Sequence, residues 1–456
     1  MVIDVIILAA GKGSRMYSST PKVLHPIAGM PMAGHVLTAA KSVSSDILVH
    51  MVVGHGAEQV RDCFEGETGL NFIEQTEQLG TGHAVLQALP AVREDAKALI
   101  LYGDVPLILP ETLQQMVAAA DADKAMSLLT ITMDDPTGYG RIVRDQYNDV
   151  IAIVEQKDAA ADQLEITEVN TGIMCIKQRD LANWLPALSN ENAQGEYYLT
   201  DVIEMAVRDE IAVKTIHPKD ESEVTGVNSK AQLAGLERVY QRQLAENLLV
   251  QGVSLFDPER LDVRGHLTVG KDVSIDVNCV FIGNVHLADG VSIGANCVIE
   301  ESTIGAGTVV KAFCHIDSSN IEEQCDVGPY ARLRPGTQLL NKAKIGNFVE
   351  VKKSIIREAS KVNHLSYIGD ADIGSGSNIG AGTITCNYDG ANKFKTVLGS
   401  QVFVGSNSTL VAPIEIKDNG FVGAGSTITQ AVPESSLAIG RSKQKNIDGW
   451  KRPTKK

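Results

Sequence analysis

From Leu267 onward, aliphatic or aromatic residues return every six positions. One run is Val269, Ile275, Phe281, Leu287, Ile293 and Ile299. Others follow through Ile304, Val310 and Ile316, from Ile321 to Val351, from Ile356 to Ile368, at Ile373 and Ile379, and from Leu398 to Ile428. A glycine or other small or polar residue often follows, as in Ile293-Gly294, Ile345-Gly346, Val404-Gly405 and Val422-Gly423. Helices repeat at 3.6 residues and strands at two, so a sustained period of six fits neither. Hexapeptide repeats mark a parallel β-helix, with three hexads per turn forming a triangular prism around stacked aliphatic side chains. The register breaks once. Nineteen residues separate Ile379 from Leu398 where three hexads need eighteen, and the segment 387–395 holds turn formers and two lysines. That predicts a loop pushed out of the solenoid and available for function.

The first 228 residues read differently. Short apolar runs, Val5-Ile6-Ile7-Leu8, the stretch 47–53 and Ala98-Leu99-Ile100-Leu101-Tyr102, alternate with helical segments and glycine-containing loops. This is α/β layering, and in an open parallel sheet ligands sit beyond the carboxyl ends of the strands. Between the halves, Leu233, Leu236, Tyr240, Leu244 and Leu248 form one apolar stripe, predicting a linker helix over 230–250. The expected domains are therefore 1–229, the linker 230–250, and 251–456.

The 456 residues exceed one ordinary core. A net charge of −15 argues against a nucleic-acid partner. Seven cysteines without a Cys-x-x-Cys pair read as reduced thiols. The apolar stretch ending at Gly11 lacks the features of a signal peptide, and no run is long enough for membrane insertion. A cytoplasmic protein is expected.

Leu8-Ala9-Ala10-Gly11-Lys12-Gly13-Ser14-Arg15-Met16 follows the first strand, and Pro21-Lys22 lies just beyond. Met16 replaces the third glycine of a dinucleotide fingerprint, and no Walker lysine follows at the right spacing. What remains is a two-glycine loop whose N–H groups can cradle phosphate, flanked by Arg15 and Lys22 to neutralise it. Asp104, at the end of an apolar strand, suits a Mg²⁺ site; spacing alone leaves metal ligand and turn cap equally open.

The loop together with Gln75, Gln78-Leu79-Gly80-Thr81, Leu101-Tyr102-Gly103-Asp104-Val105-Pro106, Gly138-Tyr139-Gly140-Arg141 and the hexapeptide tail resembles the bacterial bifunctional N-acetylglucosamine-1-phosphate uridyltransferase/glucosamine-1-phosphate acetyltransferases. The resemblance runs from about Val5 to Pro453; Ser14 stands where that family more often has Thr. It implies a Rossmann-like nucleotidyltransferase domain, a linker helix and a left-handed parallel β-helix. It places the uracil nucleotide on Leu8, Ala9, Ala10, Gly11 and Gln75, with Gly80 and Thr81 beside base and sugar. Tyr102 and Gly103 fall in the same binding segment. Gly140, Glu155, Asn170 and Thr171 match amino-sugar positions, and Asp104 and Asn228 match Mg²⁺ ligands. UTP would be attacked at its α-phosphorus by a sugar 1-phosphate oxygen, with Arg15 and Lys22 carrying charge in catalysis.

In the tail, the resemblance makes Arg334 and Lys352 the sugar-phosphate contacts, with Tyr367 and Asn378 on the sugar. His364 becomes the general base for attack of the glucosamine amine on acetyl-CoA, a role suited to a group that titrates near neutrality. Glu350 is a candidate to orient its imidazole. Ala381, Asn387, Tyr388, Lys393, Ser406, Ala424 and Arg441 match acetyl-CoA contacts, and the basic tail from Arg441 falls near the coenzyme site. The other histidines of this half, His266, His286 and His315, build no convincing metal set with His364. Two alternatives stand beside the bifunctional enzyme: a nucleotidyltransferase whose solenoid only trimerises or regulates, and a non-catalytic sugar-nucleotide sensor. A homotrimer is expected, with His364 and Tyr367 facing Lys393 and Arg441 of a neighbouring subunit.

Overall fold

In a computed structural model describing residues 2–121 and 124–455, the strand Ile3–Leu8 buries all six side chains. Ile3, Val5 and Ile7 enter one core with Met51 and Leu99, while Ile6 and Leu8 enter another with Val52 and Ile100. Burial on both faces is what a strand between two helical layers requires. The strand lies at the centre of its sheet, parallel to Ile47–Val53 on one side and Lys97–Tyr102 on the other. The order runs Ala212–Ile216, Ala125–Thr132, Glu168–Lys177, Lys97–Tyr102, Ile3–Leu8, Ile47–Val53, Leu70–Glu74. The sheet is mixed and not wholly parallel: Glu168–Lys177 runs antiparallel to both neighbours, with its register shifted between Asn170 and Met174. Because the chain leaves Ile3–Leu8 toward one side and returns on the other, a crevice opens beyond Leu8 and Tyr102.

One polar side chain interrupts this apolar centre. Asp4 is fully buried, with its carboxylate taking the Arg93 backbone N–H (2.7 Å), the Arg93 Nε (2.9 Å) and a second guanidinium nitrogen (2.6 Å), and His50 Nε2 stands 3.7 Å away. Burial alone would raise the Asp4 pKa; the approach of His50 and the Arg93 bonds and charge outweigh it and hold it below the ordinary carboxylate value. Its depressed folded-state pKa makes the contribution to stability full above the unfolded value, about 3.9, and lost as pH falls through the folded value. Asp4→Asn should therefore lower the thermal midpoint of the N-terminal unit at pH 7, a loss of about 3 kcal/mol for breaking a buried pair. In calorimetry the gap to wild type should narrow below about pH 4; a gap independent of pH would show that Asp4 acts by packing alone.

The structure divides into two units, one ending at Tyr240 and the other beginning at Gln241, inside the single helix Lys230–Val250. On the N-terminal unit, Tyr240 meets His35 edge-on at 4.9 Å and Glu237 accepts the Ala28 N–H at 2.8 Å. In the C-terminal unit, Ala245 and Leu248 join the core of Leu261 and Val263. Gln241, a polar residue on this buried face, bonds both the N–H and the carbonyl of Val263 (2.8 and 2.7 Å) and so ends a strand edge with a side-chain amide.

The C-terminal unit is a stack of short parallel strands, consistent with the expected left-handed parallel β-helix. Ile345 pairs with Val362, Val362 with Ile379, Ile379 with Val404 and Val404 with Val422. The six-residue series is buried throughout, apart from Val269, which is partly covered. Small polar residues at the corners have a definite task, since corner carbonyls would otherwise be buried without donors. Ser360 Oγ donates to Gly374 O at 2.6 Å and accepts the Ser377 N–H at 3.0 Å; Thr308 does the same for Glu322 O and Cys325 N. The loop count changes. Thr385 is buried and pairs with Leu410, so it takes the hexad position after Ile379. Thirteen positions then separate it from Leu398, where Leu410 to Ile416 takes six. The excursion is a whole insertion at one corner, not one extra residue. It is folded on itself: Tyr388 bridges Lys393, Phe394 N donates to Asn387 O at 2.8 Å, and the Asp389 carboxylate takes the N–H groups of Ala391 and Asn392.

Another corner carries Phe313, Tyr330 and Phe348 on successive coils, each with positive φ. Their rings stack at 4.8 and 5.2 Å while remaining 48%, 47% and 55% exposed.

Candidate functional sites

The crevice at the strand ends is lined by Leu8, Ala9, Ala10, Gly11, Lys22, Gln75, Gly80, Thr81, Tyr102 and Asp104, ten of the expected nucleotide positions. Gly11 has open space where a Cβ would stand, so a ligand can approach its backbone. Gly13 is held in the left-handed region (φ 57°), where a Cβ would come within 2.7 Å of the Lys22 Cβ. That packing fixes where Lys22 leaves the loop. Its ammonium pairs with the Asp104 carboxylate and donates to Asn228 Oδ1 at 3.2 Å. Three residues more than 200 positions apart at their extremes thus meet around one cation. Asp104 and Asn228 offer one carboxylate and one amide oxygen to the same small space, a hard donor pair that fits Mg²⁺ completed by water and phosphate oxygens. Among the described residues, no group of three or more His, Cys, Asp or Glu converges as a metal site. Arg15 is exposed on the turn Ser14–Met16 and is not in the cleft lining.

The Gln75 side-chain nitrogen is occupied by Gly80 O and His83 Nδ1, both at 3.1 Å. Burial, reinforced by the charges of Glu155 and Asp104, raises the Tyr102 pKa, so its hydroxyl stays protonated. Gly172 (φ 83°) allows this ring to lie over the strand; a Cβ there would be 2.5 Å from it. The amino-sugar positions also gather. Asn170 N donates to Gly140 O at 2.9 Å, Asn170 Oδ1 accepts the Gly172 N–H at 2.8 Å, and Glu155 takes the Thr200 hydroxyl at 3.1 Å. Burial raises the Glu155 carboxyl. Thr171 instead spends its hydroxyl on Leu129 O at 2.8 Å. Arg141 is buried and binds the Tyr139 carbonyl and Gln156 (2.8 Å), which also accepts the Gly138 N–H (3.2 Å), so this pair holds the turn presenting Gly140.

On the β-helix, register places Asn347, His364, Ala381, Ser406 and Ala424 on one corner in successive coils, each two residues past a core aliphatic. The base candidate therefore lies in line with three small coenzyme-side positions of its own chain. Arg441 bonds the Ala424 carbonyl at the end of the row. Tyr367 sits on the adjoining face, directly above Glu350. Asn378, on a strand paired with Lys361 and Phe403, belongs to the other side of the corner. Glu350 is engaged by Arg334 at 2.8 Å, whereas the His364 Nδ1 partner is Asn347 Oδ1 at 2.7 Å. This differs from the expectation that Glu350 orients the imidazole: on this scaffold the ring is bonded by the residue stacked one coil away. The hairpin brings Lys393 beside Lys352 of the same chain. That proximity, then burial and the charge of Arg334, lowers the Lys352 pKa against the opposing pull of Asp370.

A MobA-like NTP transferase domain matches residues 5–168. Over its whole length the chain is similar to three proteins each named bifunctional protein GlmU. That of Marinobacter nauticus is 56% identical over 99% of both chains. Those of Stutzerimonas stutzeri and Saccharophagus degradans are 57% and 58% identical over 100% of both. The chain belongs to the bifunctional GlmU family. It is an enzyme with uridyltransferase and glucosamine-1-phosphate acetyltransferase activities in UDP-N-acetylglucosamine synthesis.

In this GlmU-family chain, sequence reading passed over Glu196, which lines the crevice at the strand ends, Thr200 on Glu155, and Asn347 on His364. Only Asn347 had a usable signal: it stands 17 positions before His364, one coil away in the hexapeptide register.

Proposed function

We propose that each activity occupies one unit: uridylyl transfer in the cleft of residues 1–229, acetyl transfer on the β-helix of 251–456, with 230–250 as the connecting helix. The observation that carries the first assignment is the meeting of Lys22, Asp104 and Asn228 at the cleft. Leu8 to Gly11, Gln75, Gly80, Thr81, Tyr102 and Gly103 hold UTP; Gly140, Glu155 and Asn170 hold the sugar. A phosphate oxygen of N-acetylglucosamine 1-phosphate bonds to the α-phosphorus as the bond to pyrophosphate breaks. Such transfer asks the protein mainly for alignment and counter-charge. Lys22 exchanges its carboxylate partner for phosphate oxygens, and Arg15 adds a second cation from the loop. Mg²⁺ on Asp104 and Asn228 would supply the remaining neutralisation of phosphate charge.

On the β-helix, Arg334 and Lys352 take the phosphate of glucosamine 1-phosphate, and Tyr367 and Asn378 position its sugar. His364 removes a proton as the amine nitrogen bonds to the thioester carbon, and the C–S bond breaks to release coenzyme A. The row Ala381, Ser406, Ala424, with Asn387, Tyr388, Lys393 and Arg441, accommodates acetyl-CoA.

A homotrimer is supported by the exposed Phe313–Tyr330–Phe348 stack and by a tail whose Ile447 and Trp450 are exposed, apolar surface that association would cover. A cytoplasmic setting is supported by seven unpaired cysteines. No described helix is long and apolar enough to cross a membrane.

A fragment ending at Val250 tests the division. It should convert UTP and N-acetylglucosamine 1-phosphate to UDP-N-acetylglucosamine at a rate within a few-fold of the full chain, with no acetyl transfer. A folded fragment unable to use UTP would refute it.

A further inference from the structure

The imidazole of His364 has one short side-chain bond, from Nδ1 to Asn347 Oδ1 at 2.7 Å. The backbone on both sides of this bond is pinned. Asn347 and His364 are register partners on adjacent coils. Leu365 N donates to Asn347 O at 3.1 Å, Gly382 N donates to His364 O at 3.2 Å, and the Ser366 hydroxyl reaches His364 O at 2.9 Å. Neither residue can shift along the prism without breaking these contacts. Glu350, the carboxylate expected to orient the ring, is bound to Arg334.

An amide oxygen only accepts hydrogen bonds, so its partner Nδ1 must carry the proton. A neutral imidazole with Nδ1–H bears its lone pair on Nε2. Free imidazole side chains favour the opposite tautomer, with the proton on Nε2 and no lone pair there to receive another. We infer that Asn347 is a positioning residue for acetyl transfer: it holds His364 in the Nδ1–H tautomer and aims Nε2 at the sugar amine. The inference rests on His364 being the base. The second partner of a working histidine commonly sets which nitrogen does the chemistry. A neutral amide does so without adding a charge beside the phosphate-binding cluster of Arg334, Lys352 and Lys393.

The test uses the full-length enzyme, with uridylyl transfer as the measure of intact folding. Asn347→Ala should lower acetyl-transfer kcat tenfold or more while KM for glucosamine 1-phosphate and for acetyl-CoA stays within about twofold. Asn347→Asp keeps an acceptor on Nδ1 and adds a charge. It should recover most of the lost kcat and move the acid limb of the acetyl-transfer pH profile to higher pH, a shift that a packing role would not produce. Wild-type kcat and pH profile in Asn347→Ala would overturn the inference, as would an Asp variant as inactive as Ala. His364→Ala separates the two levels. If it abolishes acetyl transfer while Asn347→Ala is unimpaired, only the tautomer role falls; if it retains acetyl transfer, His364 is not the base and both fall.

Discussion

Asp104→Ala should depress uridylyl transfer by two or more orders of magnitude and leave acetyl transfer near wild type. Among the described residues Asp104 is the carboxylate paired with Lys22, and with Asn228 it forms the oxygen pair suited to Mg²⁺. Removing it would cost the site twice: a proposed ligand for Mg²⁺ goes, and the Lys22 ammonium is left with the neutral amide of Asn228. Losses on the order of 3 kcal/mol or more in transition-state stabilisation are usual when a charge-stabilising group is removed. The untouched β-helix provides the internal control. Raising Mg²⁺ should restore part of the loss, because one of two proposed ligands remains. An Asp104→Ala enzyme equal to wild type at low Mg²⁺ would remove Asp104 from the mechanism.

The second large effect is gained by mixing. His364→Ala chains and chains truncated after Arg441 should each lack acetyl transfer alone, and joint refolding or subunit exchange should return about a quarter of wild-type activity. In a cyclic trimer with the base from one subunit and the tail from its neighbour, random assembly of equal amounts gives one site in about four with both parts intact. The tail is the better partner for this test than the loop. Lys393 lies beside Lys352 of its own chain, whereas Ile447 and Trp450 are exposed. Absence of recovery despite proven exchange would place tail and base in the same subunit.

Acetyl transfer, on this view, draws on a chain whose architecture is unusually legible. Ile275, Phe281, Leu287 and their successors declare a prism because a six-residue coil edge presents one inward position per repeat, and burial of that position follows without long-range information. The helix 230–250 and the loop after Leu8 are legible for the same local reason: stripe spacing and the backbone freedom of Gly13 are written in neighbouring residues. Local pattern falls silent where partners come from distant segments. Nothing near Glu168 announces that its strand runs antiparallel between two others, and nothing near Lys22 points to Asn228. The count from Ile379 to Leu398 came within one of a whole number of hexads, yet only pairing of Thr385 with Leu410 reveals a whole insertion at one corner. The partner of His364 was decided the same way. Sequence alone supplied the periodicity and the charged residue types, because side-chain burial and turn conformation are set locally. Which oxygen faces which nitrogen, Asn347 and not Glu350, was settled by coil stacking, since hydrogen bonding depends on separations of a few tenths of an ångström that only the assembled backbone defines.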